Sequence, residues 1–153
     1  MYLQRLIYIS ETNNPTTDVI QEIEKQSIRN NGKCNITGIL LFNADCYVQV
    51  LEGGRAAVSD MFNKIHNDSR HKRLEMVECS NIPYRSYARW AMKFVPLSMA
   101  GKELIMKYSP KDYFDPYEME GRKLIDFCEE MSSFDIEGQN TERDDNTLLQ
   151  VNN

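Results

Sequence analysis

Several side chains able to do chemistry stand where an apolar core belongs. In Arg5-Leu6-Ile7-Tyr8-Ile9-Ser10 alternate residues share a strand face, so Tyr8 carries a phenol beside Leu6 and Ser10, with Ile7 and Ile9 opposite. In Tyr47-Val48-Gln49-Val50-Leu51 a carboxamide interrupts a run otherwise fit for full burial. At about 100° per residue on a helix, Ile20, Ile23, Ser27, Asn30 and Asn31 fall within a third of a turn. Further on, Trp90, Met92 and Phe94 alternate on one face of a strand. A buried carboxamide without a partner costs about 1–3 kcal/mol. Asn30 and Asn31 therefore either cap their own helix end or read a polar ligand. Each residue alone fits an ordinary core. Together they offer a phenol that can donate, amides for the polar edge of a planar ring, and aliphatics for its faces.

The elements that must position them follow from the pattern. Residues 3–10 read as a strand, and Thr17 or Asp18 can cap a helix running to about Asn30. Residues 36–43 and 46–52 are apolar runs around Asn43-Ala44-Asp45, a hairpin signal. Val58, Met61, Phe62 and Ile65 then recur at helical spacing. Residues 73–82 and 89–96 read as two more strands, and 101–108 and 119–133 as shorter helices. The order βαββαββ predicts an α+β fold: a ferredoxin-like sandwich with a mixed five-stranded sheet, two helices on one face, and a C-terminal helical extension. The expected organisation is 1–98 for the binding domain, 99–134 for the extension and 135–153 for an acidic, disordered tail.

Composition narrows the function classes. The 153 residues are 41% hydrophobic and 27% charged, enough for one ordinary core. From Asp135 onward five acids face one base, so the tail holds four of the five net negative charges. A near-neutral body argues against nucleic acid as a partner. No apolar run approaches the roughly 20 residues that cross a bilayer, so a cytoplasmic protein with no membrane partner is expected. Cys34, Cys46, Cys79 and Cys128 form no CxxC pair, and with two histidines in the chain neither a metal site nor a disulfide framework is expected.

The strings RLIYIS, SIRNN, ITGILLF, YVQVLEG, IHNDSRH and RWAMKFV, in that order across residues 3–95, resemble the successive signatures of the BLUF family of blue-light sensors. Residues 101–134, with Lys107-Tyr108-Ser109, resemble the two-helix extension of its short, stand-alone members. The resemblance implies a photoreceptor, not an enzyme, holding FAD non-covalently; FMN or riboflavin would fit the same ring pocket. Tyr8 matches the photoactive tyrosine that donates an electron and a proton, and Gln49 the glutamine that relays between that phenol and the flavin edge. Asn30 and Asn31 match helix positions, with Asn31 holding the pyrimidine-like edge, and Ser27 a serine supporting the glutamine. Ile23 and Ile65 match the aliphatics that sandwich the ring. Trp90 and Met92 match a pair on the last strand, and which lies nearer the flavin stays open. Asp68, Arg70 and His71 close the second helix. The cations there either complement the helix dipole or, as the resemblance implies for Arg70 and His71, hold the ribityl and phosphate chain.

The same resemblance implies output through the last strand and the C-terminal helices, to a homo-oligomer or a separate downstream signalling protein. One departure is Asn35, where the family usually has glycine; asparagine tolerates a left-handed backbone best among the alternatives. Two rival readings share the architecture: an acylphosphatase-like hydrolase, which would want a glycine-rich phosphate cradle that is lacking, and a plain dimerising interaction module.

Overall fold

In a computed structural model, the structure describes residues 2–136. The elements run β1 (Leu3–Glu11), α1 (Thr17–Lys33), β2 (Thr37–Phe42), β3 (Cys46–Gly54), α2 (Arg55–His66), β4 (Lys72–Asn81), β5 (Lys93–Pro96), α3 (Lys102–Tyr108) and α4 (Gly121–Met131). The strands form one sheet in the order β4-β1-β3-β2-β5. All pairings are antiparallel except β2 with β5, which makes the sheet mixed. The α+β, ferredoxin-like expectation holds. Of the expected tail, residues 137–153 lie outside the described residues.

Strand alternation divides the core in two. Leu6, Tyr8, Leu40, Tyr47, Leu51, Met92 and Phe94 face α1 and α2, meeting Ile23, Val58 and Met61. Ile7, Ile9, Ile39, Leu41, Val48, Val50 and Val95 face the other way, onto Leu124, Ile125, Phe127, Cys128 and Met131 of α4. The extension therefore covers the second face of the sheet. Its apolar stripe, which an isolated helix could not bury, is the reason.

Local chemistry sets the boundaries. The hydroxyl of Thr16, rather than Thr17 or Asp18, caps α1 by accepting from Val19 N at 3.3 Å. At the hairpin, Asn43 Oδ1 accepts from Asp45 N and Cys46 N, each at 2.8 Å, an Asx turn. Asn35 takes φ 54°, the left-handed conformation its residue type allows.

Two expectations need correction. α1 continues to Lys33, so Asn30 and Asn31 lie within the helix and do not cap it. The last strand spans only Lys93–Pro96, not 89–96. Trp90 consequently escapes the alternation of Met92 and Phe94 and packs, half-buried, against the α4-side core. A tether explains the shortened strand. Glu52, fully buried, accepts from Arg5 Nε and Nη2 at 3.2 and 3.1 Å and from the backbone N–H groups of Ser86 and Tyr87 at 3.1 and 2.8 Å. A paired, fully hydrogen-bonded carboxylate can sit in a core; here it pins the β4–β5 loop over β3, and that loop carries Trp90.

Candidate functional site

The floor of the site is a cross-strand pair. Tyr8 of β1 and Gln49 of β3 are register partners, both on the face toward the helices and 0% and 3% exposed. The Tyr8 hydroxyl donates to Gln49 Oε1, and Gln49 Nε2 donates to Met92 Sδ at 3.5 Å. Burial, with Tyr47 and Asp68 nearby, drives the Tyr8 pKa well above the ordinary phenol value. Tyr8 is thus a protonated donor aimed at an amide oxygen, the geometry that general acid–base chemistry needs.

Met92 reaches Gln49 because β2 has no side chain at Gly38. A Cβ there would meet Val50 O at 1.9 Å and Met92 Cε at 3.2 Å. Gly38 N also donates to Trp90 O at 3.2 Å. Of the two residues left open by the sequence, Met92 is the one at the site.

Above the floor a pocket opens between α1 and α2. Ile23, Ser27, Asn30 and Asn31 line it from α1, Ile65 from α2, and Asp68, Arg70 and His71 from the turn beyond. Ten residues singled out in the sequence therefore line one pocket, and Met92 meets them through Gln49. Trp90 does not join them. Asn31, 1% exposed, donates from Nδ2 to Ala91 O at 3.0 Å; a carboxamide has further donor and acceptor capacity for a ligand. Ser27 lines the α1 wall, but the two bonds of Gln49 go to Tyr8 and Met92.

At the far wall Arg70 donates to Asp68 Oδ2 at 2.6 Å and to Gln26 Oε1 at 3.0 Å. These bonds hold the Asp68 carboxyl below its usual range and the guanidinium above. His71 bonds Ser10 Oγ through Nδ1 at 2.8 Å, and burial lowers its pKa to about 4. The wall at neutral pH is an ion pair beside a neutral imidazole. Gln26, Leu40, Met61 and Lys64 also line the pocket and were not singled out in the sequence. Helical spacing could have found Gln26, three residues after Ile23 and four before Asn30, and Lys64, three after Met61. Among the described residues no group of three His, Cys, Asp or Glu is placed to hold a metal, and no helix is long and apolar enough to cross a membrane.

Residues 3–93 match the family model described as BLUF, sensors of blue light using FAD. The chain belongs to the BLUF family. The chain is 32% identical over 110 residues to the photoactivated adenylate cyclase subunit beta of Euglena longa, covering 71% of this chain and 12% of that one. It is 28% identical over 106 residues to the blue light- and temperature-regulated antirepressor BluF of Escherichia coli (strain K12), covering 69% of this chain and 26% of that one. The chain thus spans about an eighth and a quarter of the length of these relatives. Among solved structures, BlsA in its ground state superposes with a TM-score of 0.79 at 25% identity, covering 95% of this chain and 98% of that one. The dark-state structure of the BLUF protein BlrB gives 0.69 at 25%, covering 86% and 95%. A bacterial light-regulated adenylyl cyclase gives 0.62 at 35%, but covers only 31% of that chain. The family match replaces the acylphosphatase-like reading.

Proposed function

We propose that this BLUF domain binds FAD non-covalently between α1 and α2 and reports blue light through the Tyr8–Gln49 pair. One observation carries the reading: a buried phenol bonded to a buried carboxamide forms the floor of a pocket walled by Ile23 and Ile65. The residues fit a flavin. Ile23 from α1 and Ile65 from α2 line the space and would clamp a flat ring, carboxamides at 30, 31 and 49 would meet its polar edge, and Lys64 and Arg70 would meet phosphate. FMN or riboflavin would make the same ring contacts.

Bound there, a flavin supplies blue absorption and, once excited, oxidising power. Tyr8 is the donor, and its proton has one acceptor within hydrogen-bond reach, Gln49 Oε1. Among the described residues the Gln49 carboxamide is held by two bonds, to Tyr8 and Met92. Loss of the Tyr8 proton frees the carboxamide to turn and exchange them. Each exchange is worth about 1 kcal/mol, against couplings of about 1–3 kcal/mol between sites, so the output must be finely balanced.

The structure supports a short route outward. Met92 adjoins Lys93, whose ammonium, over the Trp90 ring at 4.5 Å, donates to Ser132 O at 2.6 Å and Phe134 O at 2.7 Å. A shift at Met92 thereby reaches the C-terminal end of α4. On this reading residues 1–98 sense, 99–134 carry the output, and the recipient is a second copy of the chain or a separate signalling protein. The test is optical. Purified protein should be yellow and show a reversible red shift under blue light; colourless protein that takes up no flavin on reconstitution overturns the proposal.

A further inference from the structure

Among the described residues one buried side-chain polar atom has no hydrogen-bond partner, the hydroxyl of Tyr47. Tyr47 is 1% exposed and opposes Ser10 in the β1–β3 register, two residues before Gln49. Its ring therefore lies on the face that carries Tyr8 and Gln49. The His71 ring stands close to both phenols, 5.1 Å from Tyr47 and 5.8 Å from Tyr8 between centres. A buried hydroxyl without a partner is costly, and a phenyl ring of the same shape would avoid that cost. What the oxygen adds to that ring is ease of oxidation.

We propose that Tyr47 is a second electron donor to the light-excited flavin, competing with Tyr8 and leaving Gln49 unmoved. This rests on flavin binding as proposed above. The two phenols differ in where a proton can go. An electron crosses packed protein without a bond, whereas a proton needs an acceptor within hydrogen-bond reach. Tyr8 has Gln49 Oε1; Tyr47 has none. One electron passes from the Tyr47 ring to the excited flavin, the O–H bond stays intact, and the same electron returns. No bond forms or breaks, and nothing is oxidised at the end of the cycle.

The surroundings tolerate the brief positive charge on the ring. Asp68 neutralises Arg70 at 2.6 Å, and the adjacent imidazole of His71 is uncharged at neutral pH because burial depresses it. Trp90 and the phenols of Tyr87, Tyr108 and Tyr117, also oxidisable, pack on the opposite side of the sheet. Tyr47 is thus placed to drain excitation that would otherwise drive the Tyr8 reaction.

Flavin fluorescence decay and photoconversion yield test this in the loaded full chain, as native protein, Tyr47→Phe, Tyr8→Phe and the double variant. The Tyr8→Phe protein should keep a fast decay component that the double variant loses. Tyr47→Phe should convert a larger fraction of absorbed photons into the red-shifted form, with an unchanged dark spectrum. Trifluorotyrosine at position 47, close in shape but harder to oxidise, should behave as Tyr47→Phe does, which a packing role would not produce. Equal decays in Tyr8→Phe and the double variant, in protein that holds flavin, overturn this proposal alone. Failure to hold flavin overturns the preceding one and this with it.

Discussion

The Tyr8 hydroxyl and Gln49 Oε1 meet because β1 and β3 pair antiparallel with those two residues directly opposed. A slip of one residue in either strand would send Tyr8 to the α4 side of the sheet and break the bond. The register of two strands, fixed by apolar alternation on both faces, therefore sets the geometry of the proposed photochemical pair.

Tyr8→Phe removes the donor and leaves the ring. The variant should fold and retain flavin, yet give no light-induced red shift in a light-minus-dark spectrum. A native shift would show that the proton comes from another group.

Gln49→Ala removes the only acceptor bonded to Tyr8 and leaves that buried hydroxyl unpaired, at a cost of about 1–3 kcal/mol. Chemical denaturation should register that loss, and the normal difference spectrum should vanish.

Stability should fall in acid through His71. Burial lowers its folded pKa to about 4 from 6.5. Below 6.5 the unfolded chain binds a proton that the folded chain refuses, so the contribution is complete above pH 6.5 and is lost as pH falls toward 4. Two and a half pH units correspond to about 3 kcal/mol at most. Urea unfolding at pH 7 and pH 5 should show the decline, and His71→Gln should flatten it.

Gly38→Ala forces a Cβ to within 1.9 Å of Val50 O, a backbone atom that cannot move aside. Overpacking of this kind costs about 1–3 kcal/mol. The thermal midpoint should fall, and the band position of bound flavin should shift as Met92 is displaced from Gln49.

Lys93→Met leaves the carbonyls of Ser132 and Phe134 without their donor. Hydrogen exchange of the α4 amides should accelerate in the dark, while the flavin spectrum keeps its native form. If the route through β5 is the output, light should no longer change exchange in α4.

Much of the site was legible from residue type and period. Alternation in β1 separated Tyr8 from Ile7 and Ile9, helical spacing gathered Ile23, Ser27, Asn30 and Asn31, and Gln49 stood out as a carboxamide in an apolar run. These are local signals, written in which residues share a face. Trp90 was misplaced because its face depends on a strand that starts three residues later, at Lys93. Glu52 and Arg5, which pin the preceding loop, lie 47 residues apart in the chain.

By itself, then, the sequence determined the order of elements, the two faces of the sheet and the types of side chain turned toward the pocket, since short-range periodicity fixes all three. Only the tertiary structure decided that Met92 rather than Trp90 touches Gln49, that α4 covers the far side of the sheet, and that the Tyr47 hydroxyl finds no partner. Those outcomes depend on contacts between distant segments, where close packing and hydrogen-bond satisfaction choose among arrangements the local pattern permits equally.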